Sequence, residues 1–226
     1  GNLYVTLAKR EVAGLVGVEA AAGPSELVVI ADDSTPPSYV AVDLVAQAEH
    51  GPHGAAYLVT WSEGLASAVE EAVAELTASS TRRAEVEATL SEGGRNILVD
   101  GSEQALEVAN AVAPEHLELL TTNPEALLAS VRNAGAVFCG LFSPAAVGDY
   151  VAGSNHVLPT SGTARFSSSL RVSDFLRHLT VVSLDQAALA RVAPHILAIA
   201  EVEGLEAHGL SVATRTRPYG GVAWSG

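Results

Sequence analysis

Residues 26–60 read ELVVIADDSTPPSYVAVDLVAQAEHGPHGAAYLVT. The first seven, ELVVIAD, form a short apolar run rich in Val and Ile that ends on acidic residues, the composition of a buried strand. Thr35 ahead of Pro36 offers an N-cap with proline in the first turn. From Tyr39 to His50 the chain is rich in Ala, Val and Leu, and Gly51 terminates it, so a helix is predicted there. Ala55 to Thr60 returns to strand composition.

The same alternation continues outward. Ser62 caps a helix in which Leu65, Val69, Ala72, Val73 and Leu76 recur at helical spacing. A further helix is predicted over Arg82–Leu90, and Gly93 and Gly94 break it before an apolar strand at Asn96–Asp100. Next come a helix over Glu103–Val112, ended by Pro114, and a strand over His116–Leu120. Asn123 and Pro124 open a helix to Asn133, with Gly135 as its C-terminal stop, and Ala136–Gly140 is the next strand. The pattern predicts an open, largely parallel α/β sheet covered on both faces.

After Gly140 the composition turns to Gly, Ser, Asn and Pro through Ser169, a stretch longer than ordinary connections and of the kind that carries function. From Ser173 the reading is helical, with one short strand at Thr180–Leu184, a helix from Gln186 to about Glu203, and a loose tail over the last dozen residues.

The whole chain narrows the function classes. It has 226 residues, 48% of them hydrophobic, with a net charge of −14. Length and apolar content suit one sizeable core with an appendage. No run approaches the roughly eighteen apolar residues of a membrane span, and no secretion signal is visible. Only 12 Lys and Arg stand against 26 Asp and Glu, so neither nucleic acid nor an anionic membrane is an expected partner. A single cysteine, Cys139, excludes an intrachain disulfide framework and any Cys-based zinc site, in keeping with a reducing, cytoplasmic location. Methionine is absent, so the sequence as given does not begin at an initiator residue.

Three clusters hold candidate chemistry. Gln47 and His50 stand three apart in the last turn of the first full helix, on one face, where both can address one ligand. Imidazole is a good zinc ligand and a Gln oxygen an unusual one; the plainer reading has His50 complementing the negative end of the helix dipole. Glu115 and His116 open a strand, where carboxylate and imidazole can divide acid–base work, although neighbours in an extended chain point to opposite sides. Asp149 and His156 lie seven apart in the glycine-rich stretch and are either a ligand pair or turn formers. His208, with Glu203 five residues before it, completes the candidates. Gly23-Pro24-Ser25 precedes a strand and lacks G-x-G-x-x-G spacing, so no dinucleotide fingerprint is visible.

Taken in order, the runs AGPSELVVIAD, DLVAQAEHG, VAPEHLELL, NAGAVFCG, SPAAVGDYVAGSNHVLPTSGTARFSS and EGLEAHGLSV resemble histidinol dehydrogenases from Gly1 to about Arg215. The resemblance implies oxidation of L-histidinol through the aldehyde to L-histidine in two NAD-dependent steps, with zinc positioning the substrate. It places metal ligands on Gln47, His50, Asp149 and His208, and the catalytic pair on Glu115 and His116. His116 would take the protons from the alcohol and the hydrated aldehyde, and Glu115 would activate the hydrating water. Substrate contacts carry over to Ser25, His156 and Glu203, beside the metal ligands and His116, and one cofactor contact to Asn2.

Members of the family are homodimers whose C-terminal segment crosses to the other subunit, so Glu203 and His208 are expected to complete the neighbour's site. They also carry a long N-terminal portion, of whose closing Gly-Pro-Gly-Asn motif only Gly1 and Asn2 match here. The expectation is therefore an incomplete Rossmann-like sheet followed by a helical C-terminal segment. Residues 1–25 are read as a remnant of a preceding Rossmann-like domain, 26–170 as the domain bearing the site, and 171–226 as dimerisation segment and tail. The expected activity is that of a fragment, impaired or absent alone. The competing reading is a zinc- or imidazole-binding module without redox activity.

Overall fold

The computed structural model describes residues 3–20 and 23–216. Helix α1 (Leu3–Val12) precedes five parallel strands, β1 (Glu26–Ala31), β2 (Ala55–Thr60), β3 (Gly94–Leu98), β4 (His116–Leu120) and β5 (Ala136–Cys139), in the spatial order β3-β2-β1-β4-β5. The connections are helical: α2 (Pro37–Ala48), α3 (Glu63–Ser79), α4 (Arg83–Gly93), α5 (Ser102–Val112) and α6 (Pro124–Leu128). Helix α7 (Ala145–Tyr150) follows the last strand. The sequence-based expectation of an open parallel α/β sheet is met.

Strand β1 is central, and its alternate residues feed two cores. Leu27, Val29 and Ala31 pack with Val40, Ala41 and Leu44 of α2 and with Leu65 and Val69 of α3. Val28 and Ile30 pack on the other face with Ala105, Leu106 and Ala109 of α5. A strand buried on both faces cannot alternate polar with apolar, which is why ELVVIA reads as a continuous apolar run. Burying each such side chain stabilises the fold by about 1.5–3 kcal/mol relative to exposure.

The register of β4 on β1 fixes where the polar residues of β4 point. Leu27 pairs with His116, Val29 with Glu118 and Ala31 with Leu120. His116, Glu118 and Leu120 therefore face the α2 side, and Leu117 and Leu119 face α5.

Several expected details are corrected. Thr35 does not cap α2: Pro36 is the N-cap residue, without a side-chain cap bond, and the Thr35 hydroxyl donates to the Leu120 carbonyl of β4. The helix opened by Asn123 and Pro124 ends at Leu128, not Asn133, because Asn110 of α5 takes over the chain there. Its Oδ1 accepts from Arg132 N (2.7 Å) and Asn133 N (3.1 Å). Gly135 is not a helix stop; a Cβ there would stand 2.6 Å from the Glu115 carbonyl oxygen, so close backbone approach requires glycine. The third strand begins at Gly94 instead of Asn96, and the stretch after Gly140 contains α7.

A second compact unit begins at Arg177. Residues 180–184 form no strand. Helix α8 (Gln186–Glu203) is capped by Asp185, whose Oδ1 accepts from Ala188 N at 2.7 Å, and ends at Gly204 in the left-handed conformation (φ 68°). Helix α9 (Glu206–Thr216) packs back on α8 through the buried Gly209. The expected tail beyond it lies outside the described residues. No helix among the described residues is long and apolar enough to cross a membrane.

Candidate functional site

In open α/β sheets ligands usually gather outside the carboxyl ends of the strands, where the strand order reverses. Here that point lies between β1 and β4, and their carboxyl ends are closed by protein. Asp32 Oδ2 accepts from Thr122 N (2.9 Å) and Thr122 Oγ1 (3.1 Å), and Thr35 ties onto Leu120. The cleft that collects reactive side chains, about 260 Å³, sits at the opposite, amino edge. It is lined by the start of β1 (Leu27), the end of α2 (Gln47, His50), the start of β4 (His116) and the end of α7 (Asp149). Helices α2 and α7 run back against the strands, which brings their C-terminal turns to that edge.

Gln47 is 5% exposed. Its Oε1 lies 3.3 Å from the Ser25 hydroxyl, and its Nε2 is buried without a partner. Turning the amide over would place nitrogen on the Ser25 oxygen and leave Oε1 in the orphan position, where a cation would satisfy it. His50 Nδ1 lies 3.2 Å from the carbonyl oxygens of Ala46 and Gln47. Carbonyls only accept, so Nδ1 carries a proton, and in the neutral ring Nε2 presents the lone pair, as in metal-binding imidazoles. The plainer reading of His50, a complement to the helix C-terminus, holds through the same two bonds. One amide oxygen, one imidazole and the Asp149 carboxylate form a set that fits zinc with a position left for a further ligand. Among the described residues no three His, Cys, Asp or Glu side chains form a metal-binding group by themselves.

His116 lies between two carboxylates. Nδ1 is 3.6 Å from Glu115 Oε2 and Nε2 is 3.8 Å from Asp149 Oδ1, and neither nitrogen makes a hydrogen bond. These are distances of groups poised to engage a ligand, since catalytic bonds are often long before the ligand arrives. Burial lowers the His116 pKa, against the opposing pull of Asp149, which favours the neutral ring that can accept a proton. Burial pushes Glu115 up to about 7, and the nearby charges of Glu26 and Asp149 push the same way. Hydrogen bonds from Ser25 and from Glu26 N (3.3 Å) offset part of that.

Adjacent strand residues should diverge, yet Glu115 and His116 approach each other. Glu115 precedes the strand, in the turn set by Ala113 in the left-handed conformation (φ 54°) at the end of α5. The Phe138 ring rests on His116 at 5.9 Å between centroids. Gly148 meets the same ring, where a Cβ would stand 2.7 Å from Cζ. Phe138 thus ties the imidazole to the helix that carries Asp149.

A profile for the family described as histidinol dehydrogenase matches residues 1–216. The chain belongs to the histidinol dehydrogenase family. It is similar to the histidinol dehydrogenase of Heliobacterium mobile, 50% identical over 215 residues, covering 95% of this chain and 50% of the relative. It is also similar to that of Bacillus subtilis, 48% identical over 217 residues with coverages of 96% and 51%. A crystal structure of histidinol dehydrogenase from Elizabethkingia anophelis matches with a TM-score of 0.88 and 36% identity, over 95% of this chain and 50% of that one. The chain spans about half the length of the curated relatives it matches.

Of the residues singled out through the resemblance to this family, the fold gathers Ser25, Gln47, His50, Glu115, His116 and Asp149 at one edge. His156 is exposed and does not line the cleft. Glu203 and His208 are exposed on α8 and α9, in the second compact unit. Asn2 lies outside the described residues. Sequence reasoning missed Asp43, which lines the cleft, its neighbouring carboxyl Glu118, and Phe138. A charged residue inside an apolar strand, HLELL, was the signal for Glu118.

Proposed function

We propose that the amino-edge cleft is the zinc and acid–base site of an NAD-dependent histidinol dehydrogenase that oxidises L-histidinol through histidinal to L-histidine. The observation that carries this is His116, buried between Glu115 and Asp149 in the cleft that also holds Gln47 and His50. When bound, zinc supplies a fixed positive centre that orients the substrate's imidazole and amino groups, and NAD supplies the hydride acceptor.

Gln47, His50 and Asp149 would hold the metal, with His208 of the neighbouring subunit. His116 accepts the proton of the alcohol and later that of the hydrated aldehyde, a role suited to a neutral imidazole. Glu115, poised near neutrality, activates the water that adds to the aldehyde. Ser25, His156 and the neighbour's Glu203 contact substrate, and Asn2 the cofactor. In this reading residues 26–170 bear the site and 171–226 serve dimerisation, in a cytoplasmic homodimer without nucleic-acid or membrane partners. The chain spans about half of each relative it matches, so the relatives' whole length is the expected unit of turnover.

A second reading, zinc and imidazole binding without redox activity, draws on the turn after β1: Asp32–Pro36 contains no glycine-rich loop for a dinucleotide. NADH formation from histidinol separates the two, assayed with the chain alone and with the chain joined to the half of a relative that it does not match. The expected result is turnover in the joined protein, no measurable turnover in the chain alone, and at least about a hundredfold loss on His116→Ala. Turnover in the joined protein indifferent to His116→Ala would contradict the assignment.

A further inference from the structure

We infer that Asp43 and Glu118 share one proton and bracket α2 to α7, positioning the donor groups that these two helices bring to the cleft. The inference rests on the proposed zinc reading for what is positioned. Glu118 is 0% exposed, in the middle of β4, on the face turned toward α2. Its Oε1 accepts from Ala145 N (2.7 Å), the first residue of α7. Its Oε2 receives no bond from any N–H or O–H donor in the described structure, and the group it meets is the Asp43 carboxyl on α2.

Two ionised carboxylates out of water repel, whereas one proton between them turns the contact into a hydrogen bond. Burial is the main cause that raises both groups, Asp43 to about 6 and Glu118 to about 8, with the Asp43 charge adding to the rise at Glu118. The other charged groups lining the cleft beside Asp43 are Glu49 and His50 at the end of α2, Arg82 ahead of α4, His116 on β4 and Asp149 on α7.

The bracket joins the ligand-bearing elements through the bond from Ala145 N to Glu118 and, between Glu118 and Asp43, through the shared proton. Asp43 lies one helical turn before Gln47, and Ala145 begins the helix that ends with Asp149 and Tyr150. Packing alone does not call for such a pair, because a buried acid pair is generally no more stabilising than well-packed apolar residues. Leu117 and Leu119, the neighbours of Glu118 on the same strand, show what this sheet uses where only packing is required. Asp43 and Glu118 are thus positioning residues, acting on zinc and substrate through α2 and α7.

The test uses the full chain, with zinc affinity measured by competition against a chromophoric chelator. Glu118→Gln keeps an acceptor for Ala145 N and gains an N–H for Asp43, so zinc affinity should stay within about threefold of wild type. Glu118→Leu fills the space but severs both bonds; affinity, measured where circular dichroism shows the variant folded, should fall about ten- to a hundredfold, the range for groups that orient a metal's ligands. Infrared spectra at neutral pH should contain, beside the absorption of partly protonated Glu115, which persists in the variants, a carbonyl band of a buried protonated acid that is lost in Glu118→Gln and in Asp43→Asn. Undiminished zinc affinity in Glu118→Leu overturns the bracket, and an acid band indifferent to both amide variants overturns the shared proton. No zinc uptake by the wild-type chain contradicts the zinc reading and the positioning role with it, and leaves the shared proton to be decided by the infrared band.

Discussion

At the scale of single residues, the chemistry rests on side chains whose environments differ from what their sequence neighbours suggest. Glu115 and His116 were legible as a reactive pair through the VAPEHLELL run, and Gln47 and His50 through helical spacing. Glu118 was not, because a lone acid in a strand reads as a solvent-facing position unless both faces are known to be covered. Its raised pKa has a consequence for stability. The native state keeps a proton that the unfolded chain has released, so stability is highest below the ordinary carboxylate range and declines as pH rises from there toward about 8. Urea denaturation from pH 4.5 to 8.5 should therefore show a decline that is shallower in Glu118→Gln; equal slopes would contradict the assignment. Gly148 makes a separate demand. In Gly148→Ala the new methyl would meet the Phe138 ring that rests on His116, so a loss of about 1–3 kcal/mol in stability is expected, with weaker zinc binding through the adjacent Asp149. Unchanged stability in the same denaturation experiment would remove Phe138 from this role.

At the scale of elements, strands and helices with local signals were legible and those made by distant contacts were not. Ser62 and Asn123 cap their helices as their positions suggested, with Leu65 N at 3.1 Å from Ser62 Oγ and Ala126 N at 3.4 Å from Asn123 Oδ1. Helix α7 escaped notice because its sequence, AAVGDY, sits in a glycine- and serine-rich stretch, and its first N–H is held by Glu118 from another element. Residues 180–184 contain the β-branched composition of a strand, but a strand needs a neighbour to pair with, and the described residues provide none. The α8–α9 unit leaves Ile199, Val202, Leu205 and Leu210 exposed, an apolar surface that the proposed homodimer would cover. Deleting everything after Leu184 should therefore give monomer or aggregate in sedimentation velocity; a well-behaved dimer would contradict that assignment.

At the scale of the whole molecule, the sheet order and the direction of its helices decide where the site can be. Parallel strands with helical returns bring the C-terminal turns of α2 and α7 to the amino edge of β1 and β4, and the reactive residues stand there. The sequence conveyed the parallel sheet through its alternating runs and the site residues through family motifs, but not the edge on which they meet, which depends on the register of β4 against β1. In the proposed reading this edge holds zinc. The direct measurement is zinc per chain by elemental analysis after purification and dialysis, for the wild-type chain and His50→Ala. One zinc per wild-type chain, with a substoichiometric trace in His50→Ala, is the expected result. Equal zinc content in the two proteins would contradict the account.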